Sequence, residues 1–84
     1  MNFKIFWDEK AHEYIDKLEP FIAKRIEKKI SELSQNPFSK DVKKLKAIDA
    51  LRLRAGDYRI IFKIEQGTIF ILKIGHRKNI YKTT

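Results

Sequence analysis

The chain has 84 residues and no cysteine, and it carries 19 Lys and Arg against 11 Asp and Glu, a formal net charge of +8. This length suits one small domain over 1–84, near the lower limit for a core without metal or disulfide staples. The missing cysteines exclude disulfide frameworks, thiol nucleophiles and thiolate metal sites, and six Phe, three Tyr and one Trp exclude a disordered tail.

Phe3-Lys4-Ile5-Phe6-Trp7 alternates as a short opening strand. Asp8 offers a helix N-cap, after which Ala11, Tyr14, Ile15 and Leu18 recur at helical spacing. Pro20 turns Glu19 away from the α conformation and suits the first turn of a second helix, so the two make a helical hairpin. Ile22, Ile26, Ile30 and Leu33 form the apolar stripe of that second helix, and Asn36-Pro37 stops it. Residues 38–48 read as a basic connection anchored by Phe38, Val42, Leu45 and Ile48.

Beyond it the period changes to two. Leu51-Arg52-Leu53-Arg54 predicts a strand with leucines on one face and arginines on the other, and Ala55-Gly56-Asp57 a turn. Tyr58 to Ile64 gives the next strand, Glu65-Gln66-Gly67 a second turn, and Thr68 to Ile74 a last strand whose Ile69-Phe70-Ile71-Leu72 run predicts burial on both faces. The fold class is therefore α+β, in the order β-α-α-β-β-β: a helical hairpin packed on one face of a mainly antiparallel four-stranded sheet, with the other face short of cover.

Charge divides unevenly along this order. Residues 1–36 hold seven basic and seven acidic side chains, whereas residues 37–84 hold twelve and four, so the whole excess of +8 lies in the second part. Such asymmetry predicts a scaffold joined to a surface for a polyanion. Arg52 and Arg54 share a strand face, and pairing across the Ala55-Gly56-Asp57 turn adds Arg59 to it. Like charges repel at these distances, and a bound phosphate offsets the cost. Arg77, Lys78, His76 and Tyr81, after the last strand, are placed within reach of the same concavity. The plainer readings are solvated arginines, an ion pair from Arg59 to Asp57 or Asp49, His76 as a loop residue and Tyr81 as a packing lid. Lys43, Lys44 and Lys46 read as a solvated loop or as contacts to a phosphate backbone. His12 and His76 are too few for a usual metal site, so no metal or other cofactor is expected. No apolar run approaches the ~20 residues of a bilayer span, which predicts a soluble, cytoplasmic protein with no membrane partner.

Lys44-Leu45-Lys46, Leu51-Arg52-Leu53-Arg54-Ala55-Gly56-Asp57-Tyr58-Arg59-Ile60-Ile61-Phe62 and Ile74-Gly75-His76-Arg77-Lys78-Asn79-Ile80-Tyr81 together resemble the RelE family of the RelE/ParE toxin superfamily. The resemblance implies the toxin of a type II toxin–antitoxin system, a metal-independent endoribonuclease that cleaves mRNA in the ribosomal A site. It also implies a small, acidic RelB-like antitoxin that folds on binding, in a hetero-oligomeric complex, with the ribosome and mRNA as further partners. The family's basic strand residues fall on Arg52 and Arg54, its post-turn arginine on Arg59, its arginine after the last strand on Arg77 and its terminal tyrosine on Tyr81. Where some relatives place a further basic residue, this chain has Ala50.

The implied chemistry is attack of a ribose 2′-hydroxyl on the adjacent phosphate. Arg59 and Arg77 are the candidates to grip that phosphate, with Arg52 and Arg54 adding charge and Lys43, Lys44, Lys46 and Lys78 contacting RNA. Tyr81 stacks on a base, orients the hydroxyl or exchanges a proton. Arginine, with a pKa above ~12, is not the base. This leaves His76, Tyr81, the RNA itself, or electrostatic catalysis without a strong base; the last is preferred, with His76 assisting in second place. A ParE-type toxin that inhibits DNA gyrase and a non-catalytic RNA- or ribosome-binding module are the alternatives.

Overall fold

The structure is a computed structural model that describes residues 2–46 and 48–81; Ala47, inside the basic connection, lies outside the described residues. The elements are β1 (Lys4–Trp7), α1 (Glu9–Asp16), α2 (Pro20–Gln35), β2 (Val42–Lys44), β3 (Leu51–Ala55), β4 (Tyr58–Glu65) and β5 (Thr68–His76). They form one five-stranded sheet in the order β1-β5-β4-β3-β2. Only the β1–β5 pair is parallel; the other three are antiparallel. The α+β class and the helical hairpin agree with the sequence reading.

Each helix boundary has a local cause. The Asp8 side chain accepts from the Lys10 backbone N–H at 3.1 Å, capping α1. Pro20 occupies the first turn of α2, where its missing N–H costs nothing. Asn36 ends α2 in an extended conformation, and its Oδ1 accepts from the Phe38 N–H at 3.2 Å. The inward faces meet in one core: Ala11 and Ile15 from α1, Ile26, Ile30 and Leu33 from α2, and Leu53, Ile60, Phe62, Ile69 and Ile71 from the sheet. α1 packs over β5 and α2 over β3.

Both hairpin turns contain two residues. Gly56 opens the β3–β4 turn with φ +61°, and Gln66 and Gly67 make the β4–β5 turn with φ +48° and +78°. In the β4–β5 turn positive φ at both central positions matches the right-handed strand twist, and in the β3–β4 turn only the first position, Gly56, requires it.

Three expectations need correction. The sheet has five strands because Val42–Lys44, read as part of a connection, pairs with Leu51–Leu53. Three residues are too short for an alternation to register. β5 continues to His76, two residues beyond the expected end, and carries a bulge where Leu72 has no partner between the pairs Phe62–Ile71 and Ile61–Lys73. Its two faces also differ: Ile69 and Ile71 are buried, whereas Phe70 and Leu72 are half-buried. The face away from the helices is partly covered by a second, small apolar cluster of Ala50, Ile61 and Ile80, with Leu45 and Leu72 against it.

Candidate nucleic-acid interface

Strand register sorts the basic side chains. Leu51, Leu53 and Ala55 point to the helices, so Arg52 and Arg54 point away. Two cross-strand rows result on that outer face. One runs Lys43, Arg52, Ile61, Lys73 and the other Arg54, Arg59, Gly75. Arg54 and Arg59 are direct cross-strand partners, an arrangement that is unfavourable for like charges.

The structure splays them apart. Arg54 Nη2 lies 3.0 Å from Asp41 Oδ1, while Lys29 Nζ on α2 takes Asp41 Oδ2 at 3.0 Å. Those two hydrogen bonds hold the Asp41 carboxyl below the usual carboxylate range. Arg59 instead donates through Nη1 to the carbonyls of Gly56 at 2.7 Å and Tyr58 at 3.0 Å. Neutral carbonyls fix its position without cancelling its charge, and among the described residues it has no carboxylate partner. Burial lowers the Arg59 pKa most, the positive charge of Arg52 next, and those of Arg54 and Arg77 add to it, whereas Tyr81 acts the other way. All five groups therefore share one electrostatic neighbourhood, and an anion there relieves the strain they place on one another.

Arg77 reaches this end of the sheet because its N–H donates to the Asp57 carbonyl at 2.8 Å, with Nε 3.5 Å from Asp57 Oδ1. Tyr81 is 57% exposed, leaving its ring open to stacking. The Arg59–Asp57 and Arg59–Asp49 pairs weighed from sequence do not form; Asp57 approaches Arg77 instead.

The remaining candidates divide. Lys43 stands beside Arg52 in the same row, and among the described residues Arg52 has no ion-pair partner. Lys44, one position on, alternates away and lines a concavity with Phe38, Asp49, Leu51, Lys63 and Glu65 at the far end of the sheet. Lys46 is exposed in the loop after β2, and Lys78 is exposed in the turn after β5. His76 does not join the arginines: opposite Tyr58 it faces the helices, with its ring edge-on to the tyrosine at 5.5 Å. Its Nδ1 accepts from the Lys78 N–H at 3.2 Å. Parity explains the displacement, since His76 follows Gly75 by one residue and Gly75 belongs to the arginine row.

Sequence reasoning missed Asp41, whose only signal is that it is the lone acid among the lysines of residues 38–48. Lys73 and Gly75 were missed too. A glycine inside a strand marks close approach of another chain segment, and that signal was available at Gly75.

Fold and site together define a small α+β domain with a five-stranded sheet whose outer face gathers Arg52, Arg54, Arg59 and Lys43. Sequence comparison is more specific: the family described as "ParE toxin of type II toxin-antitoxin system, parDE" matches residues 5–81, and the chain belongs to this family, among the RelE/ParE-superfamily toxins of type II toxin–antitoxin systems. No curated protein sequence matches it. Among solved structures it is similar to a RelE–RelB complex from the archaeon Pyrococcus horikoshii OT3, at 25% identity and TM-score 0.81 over 94% of this chain and 99% of that one. A RelB–RelE antitoxin–toxin complex from Methanococcus jannaschii gives 26% identity and TM-score 0.75 over 94% and 98%. A RelBE toxin–antitoxin complex from Mycobacterium tuberculosis gives 24% and 0.80 over 92% and 100%. Among the described residues no helix is long and apolar enough to cross a membrane.

Proposed function

We propose that this toxin is an endoribonuclease that cleaves mRNA held in the ribosomal A site, and that a small acidic RelB-like antitoxin neutralises it. The observation that carries this reading is Arg59, pinned by two backbone carbonyls with its charge uncancelled and surrounded by Arg52, Arg54, Arg77 and Tyr81. The partner is supported by the RelB–RelE complexes among the similar structures.

In this reaction the 2′-hydroxyl oxygen attacks the neighbouring phosphorus and the bond to the 5′-oxygen breaks. The products are a 2′,3′-cyclic phosphate and a free 5′-hydroxyl. Negative charge accumulates on the phosphorane oxygens, and Arg59 and Arg77 stabilise it there; one such donor is worth roughly 10²–10³ in rate. Arg52, Lys43 and Arg54 hold the flanking phosphates, and Tyr81 stacks on a base or passes a proton to the departing oxygen. No side chain of this set is a strong base, because arginine stays protonated. His76 lies on the opposite face, so proton removal falls to water, and the ribosome contributes by holding the RNA near its attack geometry.

A primer-extension map of mRNA ends after induction tests the reading. Wild type gives discrete cuts within coding sequence, and Arg77→Ala gives none while retaining the fold. Full cutting by that variant refutes it. A second reading, gyrase inhibition, is favoured by the ParE description of the matched family. Loss of DNA supercoiling by gyrase together with uncut mRNA would establish it instead.

A further inference from the structure

Tyr81 makes no side-chain hydrogen bond among the described residues, so the backbone before it sets where its ring stands. That backbone is Ile80, and three features of the outer sheet face hold it. The Ile80 N–H donates to the His76 carbonyl at 2.9 Å, closing a tight turn after β5. Its carbonyl accepts from Lys73 Nζ at 3.0 Å, which ties the turn back onto the strand it has just left. Its side chain is buried with Ala50 and Ile61, directly above Gly75. A Cβ on Gly75 would stand 2.9 Å from Ile80 Cδ1, closer than carbon atoms pack, and 3.3 Å from Ile80 Cβ, a tight contact from which Ile80 must give way. Gly75 is also the cross-strand partner of Arg59, so the seat that Ile80 fills above it adjoins the Arg54–Arg59 pair in the same row.

We propose that Lys73 and Gly75 are positioning residues that lock the 77–81 return onto the sheet and so place Tyr81 beside Arg59, while Asp57 holds Arg77 there. This rests on the reading of those groups as the RNA-cleaving set, although the lock itself can be tested without it. Lys73 Nζ acts as a tether spanning from β5 to the Ile80 carbonyl, and Gly75 as the seat that Ile80 fills. A shorter or apolar side chain at 73 leaves the carbonyl untied; any side chain at 75 lifts Ile80 off the strand.

The test uses Lys73→Met and Lys73→Arg, with Gly75→Ala as a second perturbation from the other side of the lock. Trypsin cleavage after Arg77 and Lys78, followed by mass spectrometry under native conditions, reports the seating of the return independently of activity. Lys73→Met and Gly75→Ala are expected to accelerate those two cuts at least tenfold relative to cuts elsewhere, with far-UV circular dichroism unchanged, and Lys73→Arg to restore the wild-type rate. On mRNA-programmed ribosomes, kcat of Lys73→Met is expected to fall by about 100-fold, the scale of a 1 Å misplacement. KM should stay within threefold, since Arg52, Arg59 and Lys43 still bind RNA. Unchanged protease sensitivity in both variants overturns the lock, and faster proteolysis with wild-type kcat overturns its positioning role. If the wild type leaves ribosome-bound mRNA uncut, the nuclease reading fails and the protease result alone decides the lock.

Discussion

Removing single arginines from the outer face should have unequal effects, because their charges are not equally free. Lys43, Arg52 and Arg59 have no carboxylate within ion-pair distance among the described residues, whereas Arg54 lies 3.0 Å from Asp41 and Arg77 3.5 Å from Asp57. RNA binding releases one set of counterions per uncancelled contact, and for single strands log K falls with log salt at about −0.7 per phosphate. Three free contacts give a slope of about −2, and exchange of both carboxylates for phosphates would take it to about −3.5. Arg52→Gln should therefore reduce the slope by about 0.7, equivalent to about 2.6-fold less loss of affinity between 50 and 200 mM salt. Arg54→Gln removes a charge that Asp41, shared with Lys29, balances in part, and it should change the slope by less. The assay is fluorescence anisotropy of a labelled 2′-O-methyl oligoribonucleotide, which binds and cannot be cut, across a salt series. Equal slope losses for the two variants, or none for Arg52→Gln, would refute the assignment of free and cancelled charge.

Two further outcomes concern stability. The Asp41 carboxyl is held low by the hydrogen bonds from Lys29 and Arg54, so its bridge between α2 and β3 contributes stability above the ordinary value of 3.8. As pH falls the unfolded chain takes up the proton first, and the contribution disappears as pH passes through the lowered folded-state value. Urea unfolding from pH 6 to pH 2 should show Asp41→Asn less stable than wild type at the upper end and equal to it at the lower; a constant difference across the range contradicts the bridge. Phe62 is fully buried at the centre of the core, and Phe62→Ala should cost about 3–5 kcal/mol. For a domain of this size that lowers Tm by more than about 12 °C, and a circular dichroism melt that moves by less than 5 °C would place Phe62 outside the core.

Legibility from sequence followed the length of each signal. The 16 residues of α2 repeat their apolar stripe four times between Pro20 and Asn36, and β4 is a β-branched and aromatic run bounded by two glycine turns, so both were readable in type and nearly in extent. β2 has three residues and takes its identity from Leu51–Leu53, a partner that no local pattern reveals. The arginine set was readable because positions 52 and 54 share a face by parity and a two-residue turn carries that parity across to Arg59. His76 was misplaced because the bulge at Leu72 inverts the alternation of β5: counted straight on from the inward Ile69 and Ile71, His76 would share the arginine face, whereas the extra residue turns it to the helices. Asp41 and Lys73 escaped notice because what they do depends on Arg54 and Ile80, contacts separated by 13 and 7 positions and set by tertiary packing alone.

The parallel pairing of β1 with β5 has a kinetic side. Lys4 lies opposite Thr68, so the first strand finds its sheet partner 64 positions later, whereas the β3–β4 and β4–β5 hairpins close over two residues each. Closing a loop of that length costs roughly 3–4 kcal/mol of chain entropy beyond the constant term, and nothing in the sheet rewards it until β5 is itself laid down on β4. The order of assembly thus runs from the C-terminal half backwards: the hairpins that carry the arginines form from near neighbours, and β1, whose partner is the most distant in sequence, docks last. Because Trp7 is the only tryptophan and sits on β1, its surroundings become native only at that closing step.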